Sequence, residues 1–256
     1  SFDLLRGKVN VLIGENGAGK STLMKMIAGI EQPSAGKMYM DGEEIYFKDT
    51  TAARAKGIGI IHQELSLFPN LTVYQNIFMR HEHKKGLFLN DKEHIAGAEK
   101  ILKRLEHEIP PDTLVGDLRV GQQQMVEIAR NLIQDDLRVL IMDEPSAPLT
   151  SREITALFGI IKRLREQGTA IIYISHRMEE IFEICDRVSV FRDGTFIKSC
   201  SMEGVTRDEL ISMMVGRKVE SVFPKVDCEI GDVVFKAEGL TGNGFENVSF
   251  EVHAGE

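Results

Sequence analysis

The run Gly14-Glu15-Asn16-Gly17-Ala18-Gly19-Lys20-Ser21 fits the pattern G-x-x-x-x-G-K-[ST]. It follows the mostly apolar run 9–13 and precedes a segment, residues 21–28, with a helix-like pattern. Glycines in such a run let the backbone fold around an anion, so that successive N–H groups and the positive end of the helix point at phosphate. The sequence therefore predicts a phosphate-binding loop between a strand and a helix. An ordinary glycine-rich turn is the alternative.

The last residues of this run carry side chains with distinct chemical roles. Lys20 supplies a mobile cation for the β- and γ-phosphates of a nucleotide, and Ser21 offers a hydroxyl to Mg²⁺. The residues that we expect to contact the nucleotide here are Gly14, Glu15, Asn16, Gly17, Ala18, Gly19, Lys20, Ser21 and Thr22. The motif thus predicts a nucleotide bound together with Mg²⁺.

The composition argues against several other classes of protein. The chain has 256 residues, 43% of them hydrophobic, which suffices for one large core or two smaller ones. Its net charge of −8 argues against a nucleic-acid partner, which would need clustered Lys and Arg. No apolar run approaches the roughly 18 residues of a membrane span, and the first residues do not resemble a secretion signal. The scattered Cys185, Cys200 and Cys228 predict reduced thiols in a cytoplasmic protein rather than disulfides or a zinc site.

Short apolar runs predict an α/β fold with a mostly parallel sheet. Strands buried on both faces have this pattern, and the candidates are Val9–Ile13, Gly59–Ile61, Val139–Met142, Ala170–Ile174 and Val188–Phe191. Helices fall between some of them, and strands that alternate with helices are typical of a parallel sheet. One such helix is predicted from Thr150 to Gln167, because it opens with the capping box Thr150-Ser-Arg-Glu153 and stops at Gly168.

Two further features modify this core. Asp41-Gly42 and Asp193-Gly194 lie between β-prone runs and predict antiparallel hairpins added to the sheet. Between about residues 72 and 136 the pattern is helical, with apolar residues three and four apart in Ile95–Leu105 and Gln122–Ile133. This block is predicted to be a helical subdomain inserted into the core.

The end of the chain resembles its beginning. Residues 1–8 and 249–256 share Ser, Phe, an acid, an aliphatic residue and Gly at an offset of 248 positions. A repeat of this kind would make the chain one copy of a tandem protein followed by the first strands of the next copy. We therefore predict a first domain over residues 1–216, a linker over 217–232 and the start of a second domain over 233–256.

Five further segments, in order along the chain, resemble the motifs of ATP-binding cassette (ABC) ATPases. Ile61-His-Gln63-Glu resembles their Q-loop, and Leu118-Arg-Val-Gly121-Gln122-Gln-Gln resembles their signature motif, usually LSGGQ. Val139-Leu-Ile-Met-Asp143-Glu144-Pro is similar to their second nucleotide-binding strand, followed by a D-loop over Ser146 to Thr150. Ile174-Ser-His176 is similar to their switch histidine segment. The resemblance covers residues 1 to about 195 and implies a phosphate-loop NTPase fold that binds and hydrolyses ATP.

The chemistry of these residues agrees with that resemblance. Asp143, at the end of an apolar strand, can hold Mg²⁺ through water, and Glu144 beside it can polarise the attacking water as a general base. The amide of Gln63 can reach both the metal and the water. His176 can hydrogen-bond the γ-phosphate. Catalytic roles are therefore predicted for Glu144, His176 and Gln63, and metal binding for Ser21, Gln63 and Asp143.

The narrower resemblance is to the tandem ATPase subunit of bacterial monosaccharide importers of the ribose, galactose and xylose class. It rests on Val120–Arg130, Ser175–Asp186 and Met213–Arg217. The resemblance implies a second cassette in the same polypeptide, membrane permease subunits, indirect contact with a sugar-binding protein, and a place on the cytoplasmic face of the bacterial inner membrane. Phe68 and Leu71 lie where such cassettes receive the membrane subunits, although buried packing explains them equally well.

In this family ATP lies between two cassettes, which implies that Arg119, Gly121 and Gln122 act on a nucleotide held by the opposite cassette. Gly121 and Gln122 begin a helix whose positive end would face that phosphate. Arg119 stands where the family has a Ser that donates a hydroxyl. Arg cannot cap a helix, but its charge could instead stabilise a transition state. The resemblance also implies that the aromatic residue on which adenine stacks in the family would precede the first residue of this sequence.

Other functions within the same fold remain open. A regulatory cassette that binds nucleotide with little turnover would explain Arg119. A ribosome-associated ABC factor would need a long basic linker, and residues 216–232 are neither long nor basic. A chromosome-cohesion ATPase would need hundreds of residues between the Q-loop and the signature, whereas only 55 positions separate Gln63 from Leu118.

Overall fold

The computed structural model describes residues 2–85, 88–133, 136–215 and 229–255. The chain divides into two compact units, Ser1–Arg217 and Lys218–Glu256. Most of the predicted linker, and Cys228, lie outside the described residues. In the described part of the chain, no helix is long and apolar enough to cross a membrane.

The first unit contains ten strands and eight α-helices within its described residues. The strands are β1 (Val9–Ile13), β2 (Met38–Met40), β3 (Glu43–Ile45), β4 (Ile58–Ile61), β5 (Lys84–Lys85), β6 (Phe88–Leu89), β7 (Val139–Asp143), β8 (Ala170–Ile174), β9 (Arg187–Arg192) and β10 (Thr195–Ser201). The helices are α1 (Lys20–Ile27), α2 (Thr50–Ala55), α3 (Val73–Phe78), α4 (Asp91–Arg104), α5 (Val120–Leu132), α6 (Ser151–Glu166), α7 (Met178–Ile184) and α8 (Arg207–Val215). A 3₁₀ turn spans Val115–Asp117.

Six of these strands form one sheet in the order β10-β9-β1-β8-β7-β4. All neighbours are parallel except β10, which pairs antiparallel with β9. Every residue of β1 and β8 is buried, because helices cover both faces of the sheet. The predicted α/β fold with a mostly parallel sheet is confirmed, with strand bounds that differ from the predicted ones by at most one residue.

The predicted helix after the Asp-Glu pair is confirmed as α6. Its capping box is present, because the Thr150 hydroxyl accepts from the Glu153 N–H at 3.4 Å and the Glu153 carboxylate accepts from the Thr150 N–H at 2.8 Å. The helix ends before Gly168, whose φ of 90° lies in the left-handed region. Local sequence thus determines both ends of this helix.

Both predicted Asp-Gly hairpins form, but only one joins the main sheet. Asp193 and Gly194 connect β9 to β10, and Asp41 and Gly42 connect β2 to β3, with positive φ at all four residues. The expectation that the first hairpin extends the main sheet was wrong, because β2 and β3 form a separate two-stranded sheet. Their apolar side chains, Met38, Met40 and Ile45, instead pack against the core on one face of the main sheet.

The block predicted to be helical contains α3, α4 and α5, which pack on one another. It also contains the short hairpin β5–β6, which the helical pattern did not predict. Asn76 on α3 holds the loop before it, since its fully buried side chain accepts from the Phe68 N–H at 2.8 Å and donates to the Phe68 and Thr72 carbonyls at 3.0 Å each. This loop leads from β4 to α3.

Replacing Asn76 by Ala is expected to lower the free energy of unfolding by about 1–3 kcal/mol, because several partly buried backbone groups lose a side-chain partner. Urea denaturation followed by circular dichroism measures the effect. The exposed Asn70 offers the control, since its replacement by Ala removes an amide from the same loop. Equal stabilities of the two variants would contradict the role assigned to Asn76.

The second unit is an antiparallel hairpin of β11 (Val233–Gly242) and β12 (Phe245–His253). The Phe235 and Phe250 rings face each other with centroids 5.8 Å apart. The side chains of this hairpin are mostly exposed, including the large apolar residues Val234, Phe235 and Phe250.

Candidate functional site

The predicted site residues follow the carboxyl ends of adjacent strands of the main sheet. The glycine loop follows β1, His176 lies two residues beyond β8, Asp143 ends β7 with Glu144 next to it, and Gln63 lies two residues beyond β4. In open α/β sheets, ligands bind in the crevice outside these carboxyl ends. The sheet order β1-β8-β7-β4 therefore lines up the candidate residues along one edge.

The glycine loop has a backbone that only glycine adopts without strain. Gly14, Gly17 and Gly19 have φ values of 154°, 82° and 91°. A Cβ on Gly14 would lie 2.2 Å from the carbonyl oxygen of Phe191, so this position also requires a close backbone approach. The loop ends at Gly19, where α1 begins with unpaired N–H groups at its first turn. This arrangement suits the phosphates of a nucleotide.

Lys20 lies across the loop. Its ammonium donates to the carbonyl oxygens of Gly14 at 2.7 Å and Glu15 at 3.0 Å. Burial lowers the pKa of Lys20, and the carboxylates of Asp143 and Glu144 oppose this shift. The ammonium is therefore bound to the loop and lies within electrostatic range of the two carboxylates, while Ser21 and Thr22 next to it are exposed.

Three predicted catalytic residues meet at the carboxylate of Glu144. Its Oε1 lies 3.0 Å from Nδ1 of His176, and its Oε2 accepts from the amide of Gln63 at 3.4 Å. Glu144 has a φ of 47°, which is strained for a residue with a side chain, and its N–H donates to the carbonyl of Ile174 at the end of β8. Strain of this kind is common at active sites, where the surrounding structure holds it in place.

Asp143 is partly buried beside this group. Burial raises the pKa of Asp143 and the neighbouring Glu144 raises it further, whereas His62 and Lys20 lower it. A partly buried carboxylate facing a lysine and a glycine loop is typical of a nucleotide site.

His62 is a residue that sequence reasoning did not single out. It lies between β4 and Gln63, and its pKa is lowered first by burial, with Asp143 raising it and Arg130 and Lys25 lowering it. Its position directly after a buried strand, next to a predicted site residue, is the signal that could have identified it. The charge of Asp143 acts on this imidazole, and His62 also lines a groove of about 880 Å³.

This groove lies between the sheet and the helical block. Its lining includes Arg54 on α2, His62, Phe68, Met79 after α3, and Arg130 on α5. Phe68 is 51% exposed, so it does not serve as buried packing, whereas Leu71 is half-buried. The groove thus begins next to the catalytic edge of the sheet and ends at the helical block.

The signature residues lie apart from the Glu144 group, at the start of α5. Gln122 accepts from the N–H of Arg119 at 3.1 Å, which is one half of a capping box. The other half is missing, since a guanidinium has no acceptor. A Cβ on Gly121 would lie 2.4 Å from the Glu153 carboxylate, so α5 and α6 meet at this glycine. Arg119 and Gln122 do not take part in the contacts among Gln63, Glu144 and His176.

A glycine loop between a first strand and a helix, with an Asp-Glu pair on a nearby strand, defines a phosphate-loop nucleotide-binding domain. The family model described as ABC transporter matches residues 1–147. The chain belongs to the ABC transporter family and is an ATP-binding cassette of that family.

Its relatives include proteins named for sugar import. It is 49% identical to "Ribose import ATP-binding protein RbsA" of Geobacillus kaustophilus, over 100% of this chain and 52% of that protein. It is also 49% identical to "Putative ribose/galactose/methyl galactoside import ATP-binding protein 2" of Agrobacterium fabrum, over 100% of this chain and 50% of that protein. The chain spans about half the length of these curated relatives.

Solved structures with the same fold include a nucleotide-free ATP-binding cassette from an ABC transporter. That cassette has a TM-score of 0.71 and 25% identity, over 86% of this chain and 89% of that chain. Another is cbiO1 from Clostridium perfringens, part of the ABC transporter complex cbiONQ. It has a TM-score of 0.67 and 29% identity, over 82% of this chain and 84% of that chain.

Proposed function

We propose that this chain is the ATP-binding and ATP-hydrolysing part of a monosaccharide ABC importer. The observation that carries this proposal is the convergence of Gln63 and His176 on the carboxylate of Glu144, close to the lysine of a phosphate loop. A cassette with no catalytic role would not need these groups together at a strained residue. The 49% identity to relatives named for ribose import supports the choice of cargo.

The residues of the site have complementary roles in hydrolysis. Lys20 and the N–H groups of the glycine loop bind the phosphates, and Glu144 accepts a proton from the attacking water. Nδ1 of His176 donates to Glu144, and in the imidazolium form the other ring nitrogen would donate to phosphate oxygen. Gln63 orients the water next to Glu144.

The donor set also fits Mg²⁺. This ion prefers oxygen ligands and is commonly held by one or two carboxylates together with phosphates and waters. Ser21, Gln63 and Asp143 would hold it, and the bound ion supplies positive charge to the phosphate oxygens. The partly buried Asp143 would then be stabilised in its ionised form, despite the burial that raises its pKa.

We propose that this chain is the first cassette of a tandem protein. The first cassette spans residues 1–216, a linker 217–232, and the first strands of the second cassette 233–256. The relatives' twofold greater length supports this organisation, as do the exposed apolar side chains of the hairpin β11–β12, which would pack within a complete second cassette. Arg119, Gly121 and Gln122 would then act on nucleotide bound to the other cassette.

The permease subunits of such an importer need a docking place on the cassette. The groove lined by Phe68 and Arg130 suits this role, because it borders both His62 beside the catalytic edge and the helical block. We propose that the protein lies on the cytoplasmic face of the bacterial inner membrane through these subunits. The sugar-binding protein would contact it only indirectly, and no nucleic acid takes part.

Transport measured in proteoliposomes tests this function. The tandem protein is reconstituted with its permease subunits and binding protein, and uptake of a panel of pentoses and hexoses is measured together with phosphate release. We expect ATP-dependent uptake of at least one monosaccharide. Tight nucleotide binding without phosphate release or uptake would instead support the second candidate, a regulatory cassette, which Arg119 favours.

Replacing Arg119 by Ser is expected to raise the ATPase rate of the assembled transporter. Ser can complete the capping box that Gln122 half forms, worth about 1 kcal/mol, and its short hydroxyl fits a position facing phosphate. The control is Arg152→Ser, which removes an exposed arginine from the first turn of α6. Phosphate release is measured for both. A fall in rate specific to the first variant would identify Arg119 as an arginine finger.

A further inference from the structure

Glu180 on α7 is a buried carboxylate outside the set of predicted site residues. It is 4% exposed, and it shares the buried face of α7 with Ile181 and Ile184. An acidic side chain at a buried position is costly unless donors surround it. Its partners are therefore informative.

Three hydroxyl groups donate to one oxygen of this carboxylate. Oε2 accepts from Ser146 Oγ at 2.8 Å, from Tyr173 Oη at 2.8 Å and from Ser175 Oγ at 3.0 Å. The other oxygen lies 3.0 Å from a guanidinium nitrogen of Arg177. All three hydroxyl-bearing residues are buried, and burial, above all, raises the pKa of Tyr173 so that its hydroxyl stays a donor.

Two of the partners of Glu180, Ser146 and Ser175, belong to the loops that carry the catalytic groups. Ser146 is two residues beyond Glu144, and Ser175 directly precedes His176. The Ser175 hydroxyl also accepts from the N–H of Arg177, on the far side of His176. One carboxylate oxygen thus joins the loop of the proposed general base to the turn of the proposed switch histidine.

We propose that Glu180 is a positioning residue that fixes His176 relative to Glu144. The 3.0 Å contact between these two side chains depends on the relative placement of two separate loops, and His176 is largely exposed, with little packing of its own to hold it. Charge-assisted hydrogen bonds to a buried carboxylate are stronger than neutral ones and resist displacement. The catalytic consequence of this role rests on the proposed ATPase function, whereas the positioning itself does not.

Nuclear magnetic resonance of the His176 ring tests the positioning without any turnover. The ¹⁵N shifts of an imidazole report its tautomer and its hydrogen bonds. In the 256-residue chain, Glu180→Gln and, separately, Ser146→Ala are expected to shift the Nδ1 resonance of His176. The matched control is Glu179→Gln, which makes the same change at the adjacent, exposed position of α7.

The outcome of this experiment is decisive in both directions. A His176 resonance that shifts in both test variants and not in the control supports the proposal. An unchanged resonance in folded Glu180→Gln and Ser146→Ala overturns it. Ser146→Ala removes one of the three hydroxyl donors and leaves the carboxylate paired with the other two and with Arg177, so it keeps the test valid if Glu180→Gln does not fold.

Kinetics of the tandem protein test the consequence for catalysis. We expect Glu180→Gln to lower kcat on the order of tenfold or more with little change in the KM for ATP, since misplacement of a catalytic group affects the reaction step while Lys20 and the glycine loop are untouched. A parallel rise in KM with unchanged kcat would overturn the proposal. A parental tandem protein that releases no phosphate would contradict the proposed function instead, and the resonance of His176 would still decide the role of Glu180.

Discussion

Replacing Glu144 by Gln is expected to lower the rate of ATP hydrolysis at this phosphate loop about 10²- to 10⁴-fold while ATP still binds, because an amide cannot take a proton from the attacking water. The shape of the side chain is retained, although its single amide oxygen can accept from only one of Gln63 and His176. Phosphate release by the tandem protein and equilibrium binding of ATP measure the two effects separately.

The control for this change is Glu166→Gln. Glu166 is exposed at the end of α6, just before β8 begins, and so lies at the opposite edge of the parallel sheet from Glu144. Its replacement is expected to change neither quantity. Hydrolysis at the parental rate by Glu144→Gln, with the second composite site inactivated, would show that another group removes the proton.

The sequence predicted most of the local structure of the core. The bounds of β1 and β8 match the predicted ones, because short and mostly apolar runs are typical of strands covered on both faces. The α6 helix was equally clear, since its capping box and terminal glycine act over a few residues. These features depend on neighbours in the chain, and a single sequence contains that information.

The sequence did not predict in the same way how distant segments of the chain pack and pair with one another. The separate sheet of β2 and β3 depends on Met38 and Met40 finding a place on a core built from distant elements. The strand order β1-β8-β7-β4, which aligns the site, likewise results from pairings between segments far apart in the chain. Turn residues predict a hairpin, but they do not determine where the hairpin packs.

In the site, too, features that depend on local sequence were predicted and long-range contacts were not. Glu144, His176 and Gln63 each follow a predicted strand, so their meeting at one edge could be anticipated. The contacts of Glu180 could not be anticipated in this way. Its partners have no spacing in the sequence that indicates a common partner; they are Ser146, Tyr173 and Ser175. A glutamate on the apolar face of a short helix was the only signal.

Lys20 also has a setting that the motif alone does not reveal. Its ammonium donates to two carbonyl oxygens of its own loop and faces two carboxylates, Asp143 and Glu144. Burial lowers its pKa, so this lysine loses its proton at a lower pH than an exposed lysine does. Nucleotide affinity that depends on this charge should therefore weaken earlier as the pH rises, and a Lys20 variant should lack that part of the pH dependence.

Replacing Lys20 by Ala is expected to weaken the binding of ATP about 10- to 150-fold, which corresponds to the roughly 1.5–3 kcal/mol of a hydrogen bond to a charged group. The matched control is Lys25→Ala, which removes a lysine from the same helix where it pairs with Glu31 on the surface. Calorimetric titration with Mg-ATP compares both with the parental protein. The contrast with Glu144→Gln separates the two halves of the site, since one variant should lose binding and the other only turnover. Parental affinity in Lys20→Ala would mean that the glycine loop binds phosphate without its lysine, and the assignment of this charge to the phosphates would be wrong.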